Sequence, residues 1–176
     1  KFTEARDVVE AFLKQVPDNK SMSDFLNQVK DVETLDAQRA ELEAEFSSGR
    51  GELDSALRLL NVYRKLRMDA AFQGLSQSIL NDDNVPPSYY LSVADFCREA
   101  NRPDLLEMAL MRYVAKVPEE APQWIGLAAV QSQLGKQDAA LESIRQAIEA
   151  DGETAGRLFA RDPRFDALRQ TSRFKA

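Results

Sequence analysis

Residues of matching type recur 34 positions apart along the middle of this chain. Tyr90 stands against Trp124, Ala94 against Ala128, Asn101 against Gly135, Asp104 against Asp138, Leu110 against Ile144 and Val114 against Ile148. A fixed spacing of this kind marks a repeated supersecondary unit, each copy burying its apolar face against its neighbours. The clearest copy runs from Trp124 to Gly152, WIGLAAVQSQLGKQDAALESIRQAIEADG. Trp124, Leu127, Ala128 and Leu134 fall at helical spacing before Gly135, and Ala139, Ala140, Ile144, Ala147 and Ile148 do so after Asp138. The pattern predicts two short antiparallel helices whose apolar faces meet. Gly135 is free to take the left-handed conformation that ends the first helix, and Asp138 is able to cap the second.

The order aromatic, Leu, small residue, turn Gly, Ala, large apolar, Ala resembles the tetratricopeptide repeat (TPR), a helix-turn-helix unit of 34 residues. The resemblance implies an all-α fold, a right-handed superhelical stack of antiparallel helix pairs (a TPR-like α-solenoid) with a C-terminal helical cap. Repeats are expected over 53–86, 87–120 and 121–152, in one helical domain spanning 1–176. The pattern is departed from at Gln131, where a large apolar or aromatic residue is usual, at Leu106, where a small one is, and at Gly152, where a closing Pro is common. The repeats are therefore divergent.

The flanking segments fit the same scheme less regularly. Phe2, Ala5, Val9, Phe12, Leu13 and Val16 share one face of a helix that Pro17-Asp18 ends. Residues 1–17 thus resemble the second helix and closing Pro of a repeat. This half-repeat, with a first residue other than Met, suggests a C-terminal portion of a longer bacterial protein. In 21–48, Phe25, Val32, Leu35, Leu42 and Phe46 form a heptad seam interrupted by Arg39, which either one long helix or a helical hairpin broken near Asp31 to Thr34 satisfies. Ser47 to Gly51 reads as a flexible loop. Ala56, Leu59, Leu60, Tyr63 and Leu66 then mark a helix, Arg67-Met68-Asp69 a tight turn without glycine, and Phe72, Leu75 and Ile79 a second helix stopped by Pro86 and Pro87. Capping helices are expected over 153–176: a short one at Thr154 to Arg161, then two pieces that each carry Arg-Phe, at Arg164-Phe165 and Arg173-Phe174. They resemble the tail often found after the last TPR of bacterial proteins, in which Phe165 and Leu168 would cover the exposed edge of the last unit.

Composition narrows the function. With 176 residues, 44% hydrophobic and 30% charged, the chain suits one ordinary globular domain. Its net charge of −6 argues against a nucleic-acid partner, because phosphate affinity comes from clustered Lys and Arg. Residues 154–176 are an exception, with six cations against Asp162 and Asp166, a local +4 that leaves −10 for the rest. This asymmetry reads as a basic segment packed beside an acidic neighbour. Cys97 is alone and lies among Val93, Ala94 and Ala100, so it reads as a buried, inert thiol. There is no His at all, which removes the usual general base, the commonest metal ligand and the Ser/His and Cys/His nucleophile pairs. No run of 18 apolar residues occurs.

What the resemblance implies about function is recognition. Each unit would expose its first helix on a concave side, a groove suited to an extended peptide or a partner helix. The family's groove positions fall here on Leu57, Arg58, Asn61, Arg64 and Lys65, then on Leu91, Asp95, Arg98 and Glu99, and then on Ile125, Ala129, Ser132 and Gln133. The Lys and Asn set with which chaperone-binding members hold a C-terminal carboxylate is only partly echoed by Asn61, Arg58 and Lys65. Asp95 and Glu99 stand where cations would be wanted, so that ligand is rejected. The expectation is a protein-interaction scaffold that binds a peptide or partner domain, with no catalysis, cofactor, nucleic acid or direct membrane insertion. The alternative is a structural module that packs against another domain of the same longer chain, a membrane-anchored enzyme being one such setting. The compartment, cytoplasmic or extracytoplasmic, stays open.

Overall fold

The computed structural model describes residues 2–169, with Phe2, Ala167 and Leu168 described in backbone only. The second Arg-Phe piece, within 170–176, and the side chains of Phe2 and Leu168 lie outside the described residues. Every regular element among the described residues is helical, so the chain is all-α. It divides into two compact units, residues 1–72 and 73–176.

In the first unit, α1 (Phe2–Gln15) and α2 (Lys20–Ser47) form an antiparallel hairpin. Arg6 reaches Glu33 at 3.0 Å and Lys30 reaches Glu10 at 3.4 Å, the descending register of such a pair. Asn19 caps α2 by accepting the Met22 N–H at 3.0 Å. α2 runs unbroken for 28 residues, which decides for one long helix. Its DAQRAELEAEF run consists of strong helix formers, and Arg39, which interrupts the apolar seam, is held on its own helix by Asp36 at 2.9 Å and Glu43 at 2.5 Å. Val9 is buried in this hairpin, and Ala5 and Leu13 are half-buried, but Phe12 and Val16, expected on the same inner face, are exposed. The apolar stripe of α1 is wider than one partner helix can cover.

α2 ends at Gly49, with φ 73°, where the N–H groups of Gly49 and Arg50 fold back onto the carbonyls of Phe46 and Glu45. Residues 48–50 thus form a hydrogen-bonded turn within the stretch where the sequence suggests a flexible loop. The Phe46 ring lies against Gly51 so closely that a Cβ there would force the ring to move. α3 (Leu53–Lys65) returns along α2 and buries Ala56, Leu59, Leu60, Val62 and Tyr63. Ser55 Oγ and Tyr63 OH donate 2.9 Å hydrogen bonds to the carboxylates of Glu45 and Glu43, fixing the register of the two helices.

Three helix ends are built alike at the 34-residue spacing. After α3, α5 (Pro87–Glu99) and α7 (Ala121–Gln133), residues Arg67, Asn101 and Gly135 take left-handed φ values of 54°, 52° and 75°. The following N–H groups, of Met68, Arg102 and Lys136, each return 2.9 Å to the carbonyls of Tyr63, Cys97 and Gln131. This six-to-one bond satisfies a helix-end carbonyl that would otherwise be orphaned. The turn before α4 (Asp69–Asn81) therefore adopts the same backbone as the glycine turn. Arg67 pays a left-handed strain of about 1–2 kcal/mol for a non-glycine residue.

In the second unit, α5 packs on α6 (Pro103–Lys116), α6 on α7, and α7 on α8 (Gln137–Arg161). A cross-element tie repeats one period on: Arg102 reaches Gln73 at 3.0 Å and Lys136 reaches Glu107 at 2.5 Å. Of the matched positions, Tyr90, Ala94, Leu110, Val114, Ala128 and Ile144 are buried, while Trp124 is half-buried with its indole N–H on the Pro118 carbonyl. Ile148 departs from expectation and is 53% exposed. Ala140, Ile144 and Ala147 face the core, and Ile148 lies about 100° further round the helix than Ala147. Asp138 is likewise not the cap expected of it: α8 begins at Gln137 with Lys136 in the cap position, which places Asp138 in the first turn.

α8 breaks at Asp151, whose φ of −158° and ψ of 96° are non-helical. The Asp151 carboxylate accepts the Thr154 N–H at 3.1 Å and so caps the segment 152–161, which contains the short helix expected at Thr154. Ala155 and Phe159 stand one period after Ala121 and Ile125, and all four are buried in one cluster. A 3₁₀ turn, Pro163–Phe165, then folds onto α7 before the short α9 (Asp166–Arg169). Phe165 is fully buried, its ring 4.9 Å from that of Phe159, and the Arg169 guanidinium lies 5.5 Å over Phe159.

Candidate partner-binding surfaces

The two units present separate surfaces. On α3, Arg58 and Lys65 are exposed, and Leu57, Asn61 and Arg64 are half-buried. Arg64 donates to Asn61 Oδ1 at 2.8 Å, so two of the expected groove residues bind each other. Arg58 and Asn61 line a cavity of about 350 Å³ with Glu41 and Glu45 of α2. That α2 supplies carboxylates to this surface is not legible in the sequence, because it requires knowing which face of a long helix meets α3.

On α5, Asp95, Arg98 and Glu99 are exposed and Leu91 is half-buried. Arg98 pairs with Asp95 at 2.5 Å. On α7 the expected groove is partly filled by the chain itself. Ile125 and Ala129 are buried with Phe159 and Phe165, and neither is presented to solvent. Apolar area at these positions is withdrawn from water by the C-terminal segment, which is favoured by about 25 cal/mol per Å². Ser132 and Gln133 stay accessible, with Ser132 Oγ 3.4 Å from the Arg164 carbonyl.

Beside them lies a cavity of about 280 Å³. Its floor is Leu106, Leu110 and Val130, and its polar lining is Arg98, Asn101, Arg102, Gln133 and Arg164. Arg98 and Gln133 are expected groove positions. Asn101 and Arg102 join them because the left-handed turn after α5 carries the chain round the end of the helix, and Arg164 because the 3₁₀ turn folds back onto α7. Each guanidinium is braced by its own Asp: Arg102 by Asp104 at 2.8 Å and Arg164 by Asp162 at 2.5 Å, as Arg98 is by Asp95. The Arg102 and Arg164 hydrogen bonds hold the carboxyls of Asp104 and Asp162 below the usual carboxylate range. Cys97 also borders the cavity, but it is fully buried, and desolvation pushes its thiol up to about 12, away from the thiolate that reacts.

A third surface is apolar. Val8 and Phe12 of α1, with Met22 and Phe25 of α2, are exposed around a concavity, Val8 to 69%. Among the described residues, no helix is long and apolar enough to cross a membrane. No family model matches the chain, and neither does any curated protein or solved structure.

Proposed function

We propose that this chain is a divergent TPR-type repeat domain that acts as a protein-interaction scaffold, not as a catalyst. The observation that carries this reading is the left-handed turn at Arg67, Asn101 and Gly135, identical in backbone bonding and 34 residues apart. In TPR terms the pairs stack as a right-handed superhelix and offer first-helix faces to a peptide or partner domain. On this reading the contact residues are Leu57, Arg58, Asn61, Arg64 and Lys65 in the first unit and Leu91, Asp95, Arg98, Ser132 and Gln133 in the second. The absence of His from the sequence and the raised, buried Cys97 thiol support binding over group-transfer chemistry. Selection from a displayed peptide library, followed by binding to Arg64→Glu and Arg98→Glu proteins, tests the assignment. Selected peptides should lose affinity for one or both variants; unchanged binding to both would sink these contacts.

A second reading is favoured by the apolar surface of α1 and α2. It takes the region as a structural module whose Val8 and Phe12 face packs against another domain of a longer protein. Phe12→Glu separates the two readings, because it would abolish that packing and leave peptide selection on α3 and α5 intact.

A further inference from the structure

We infer that the cavity lined by Arg98, Arg102 and Arg164 binds the dianion of a phosphate monoester carried on a peptide partner. The inference rests on reading this surface as a partner-binding face and specifies the chemistry of its ligand. Among the described residues, three guanidinium groups line the cavity and no Asp or Glu does. Asp95, Asp104 and Asp162, which brace the three arginines, are not part of the lining. The positive ends of three ion pairs therefore face the cavity. Arg102 and Arg164 turn their Nε–Nη2 edges to Asp104 and Asp162, so they supply fixed positive charge beside the cavity. Arg98, held by Asp95 through Nη1, supplies the planar fork that matches phosphate oxygens, and bracing removes part of the ordering cost of binding.

A phosphate monoester carries a charge of about −1.5 to −2 near neutral pH and offers three acceptor oxygens, which suits three cations better than one carboxylate does. Arg98 is 58% exposed and commits only Nη1 to Asp95, so the Nε and Nη2 edge of its guanidinium is presented at the rim. Asn101 and Gln133 add neutral polar side chains, and the floor of Leu106, Leu110 and Val130 receives an apolar stem. The volume of about 280 Å³ suits a single modified side chain more than an extended segment.

The test is an NMR titration of the full chain with four probes: inorganic phosphate, acetyl-Ala-phosphoserine-Ala amide, and the same tripeptide with Ser or Glu at its centre. The phosphopeptide should shift the Asn101 and Gln133 signals and bind more tightly than the other three. Among the described residues the cavity is lined by no His, Asp or Glu, so at the site it is the ligand that titrates between about pH 7.5 and 5.5. Affinity should fall about fourfold over that range as the dianion, with a pKa of about 6, takes up a proton. Arg98→Ala should weaken binding about tenfold, as loss of a charged hydrogen bond does, and this exposed position leaves the fold intact. Inorganic phosphate binding as well as the phosphopeptide would overturn the peptide source. Equal binding of the Ser or Glu peptide, or indifference to Arg98→Ala, would overturn the phosphate assignment. Library-selected peptides that depend on Arg64 while no phosphorylated probe binds would overturn this inference and leave the scaffold reading standing.

Discussion

Ser143 Oγ donates a 2.7 Å hydrogen bond to Gln131 Oε1 in the buried contact between α7 and α8. Gln131 is one of the residues that depart from the repeat pattern, and it is tolerated in the core because Ser143 supplies its partner. Ser143→Ala leaves a buried carbonyl unsatisfied and should cost about 1–3 kcal/mol, whereas the pair Gln131→Leu with Ser143→Ala should come out near neutral. Urea denaturation of the wild type, both single variants and the double variant measures the coupling. Additive effects would mean that the bond contributes nothing.

The left-handed turns that recur at the 34-residue spacing make opposite predictions at equivalent positions. Gly135→Ala forces a Cβ into a left-handed backbone and should destabilise by about 1–2 kcal/mol. Arg67→Gly relieves the same strain at the cost of a more flexible unfolded chain and should stabilise by roughly 0.5 kcal/mol. Thermal melts of the two variants should move in opposite directions.

Phe165 closes the second unit. Phe165→Ala should cost about 3–5 kcal/mol, the usual range for a fully buried aromatic. It should also uncover Ile125 and Ala129. Hydrogen exchange followed by mass spectrometry should show faster exchange over 121–133 and little change over 53–65. Unaltered protection of α7 would mean that the 3₁₀ turn does not cover it.

Tyr63 gives the first unit an alkaline limit. Burial, and secondly its hydrogen bond to Glu43, push its phenol up to about 12, above the ordinary value near 10. A folded-state pKa raised above the unfolded one contributes stability that is complete below about pH 10 and is lost as pH rises toward 12. Tyr63→Phe should flatten the fall in stability across that window, as read by denaturation midpoints at pH 9, 10.5 and 11.5.

Asp104 and Asp162 act at the acid end. Their folded pKa values are lowered, first of all by hydrogen bonds from Arg102 and Arg164. Their contribution is therefore present above the ordinary carboxylate pKa near 4 and is lost as pH falls through the lowered values. Asp162→Asn should reduce the acid sensitivity of the second unit, measured as the change in midpoint between pH 5 and pH 3.

Much of the helical organisation was legible from periodicity alone. The spacing from Tyr90 to Trp124 located α5 and α7, and Gly135 announced its own left-handed turn. Pro86 and Pro87, read as the stop of the preceding helix, instead stand at the start of α5, beyond the end of α4 at Asn81. These signals are local, because helix phase and backbone permission depend on residues within a turn or two. Arg67 shows where such reading stops: nothing in its side chain advertises a left-handed conformation, and the helices on either side impose it. The same holds for Ile148, whose position one residue past the buried stripe depends on the packing angle of α8 against α7.

The sequence by itself determined that the chain is helical, where most turns fall and which apolar residues are available for burial, since all of these follow from short-range stereochemistry and the period of the apolar pattern. Tertiary structure alone decided which expected contact residues remain accessible. Arg164 joins Arg98 and Arg102 at one cavity, and Phe165 removes Ile125 and Ala129 from solvent, because the break at Asp151 and the 3₁₀ turn carry the C-terminal segment back onto α7. That return is driven by apolar surface distant in sequence, and the spacing of residues along a single helix carries no record of it.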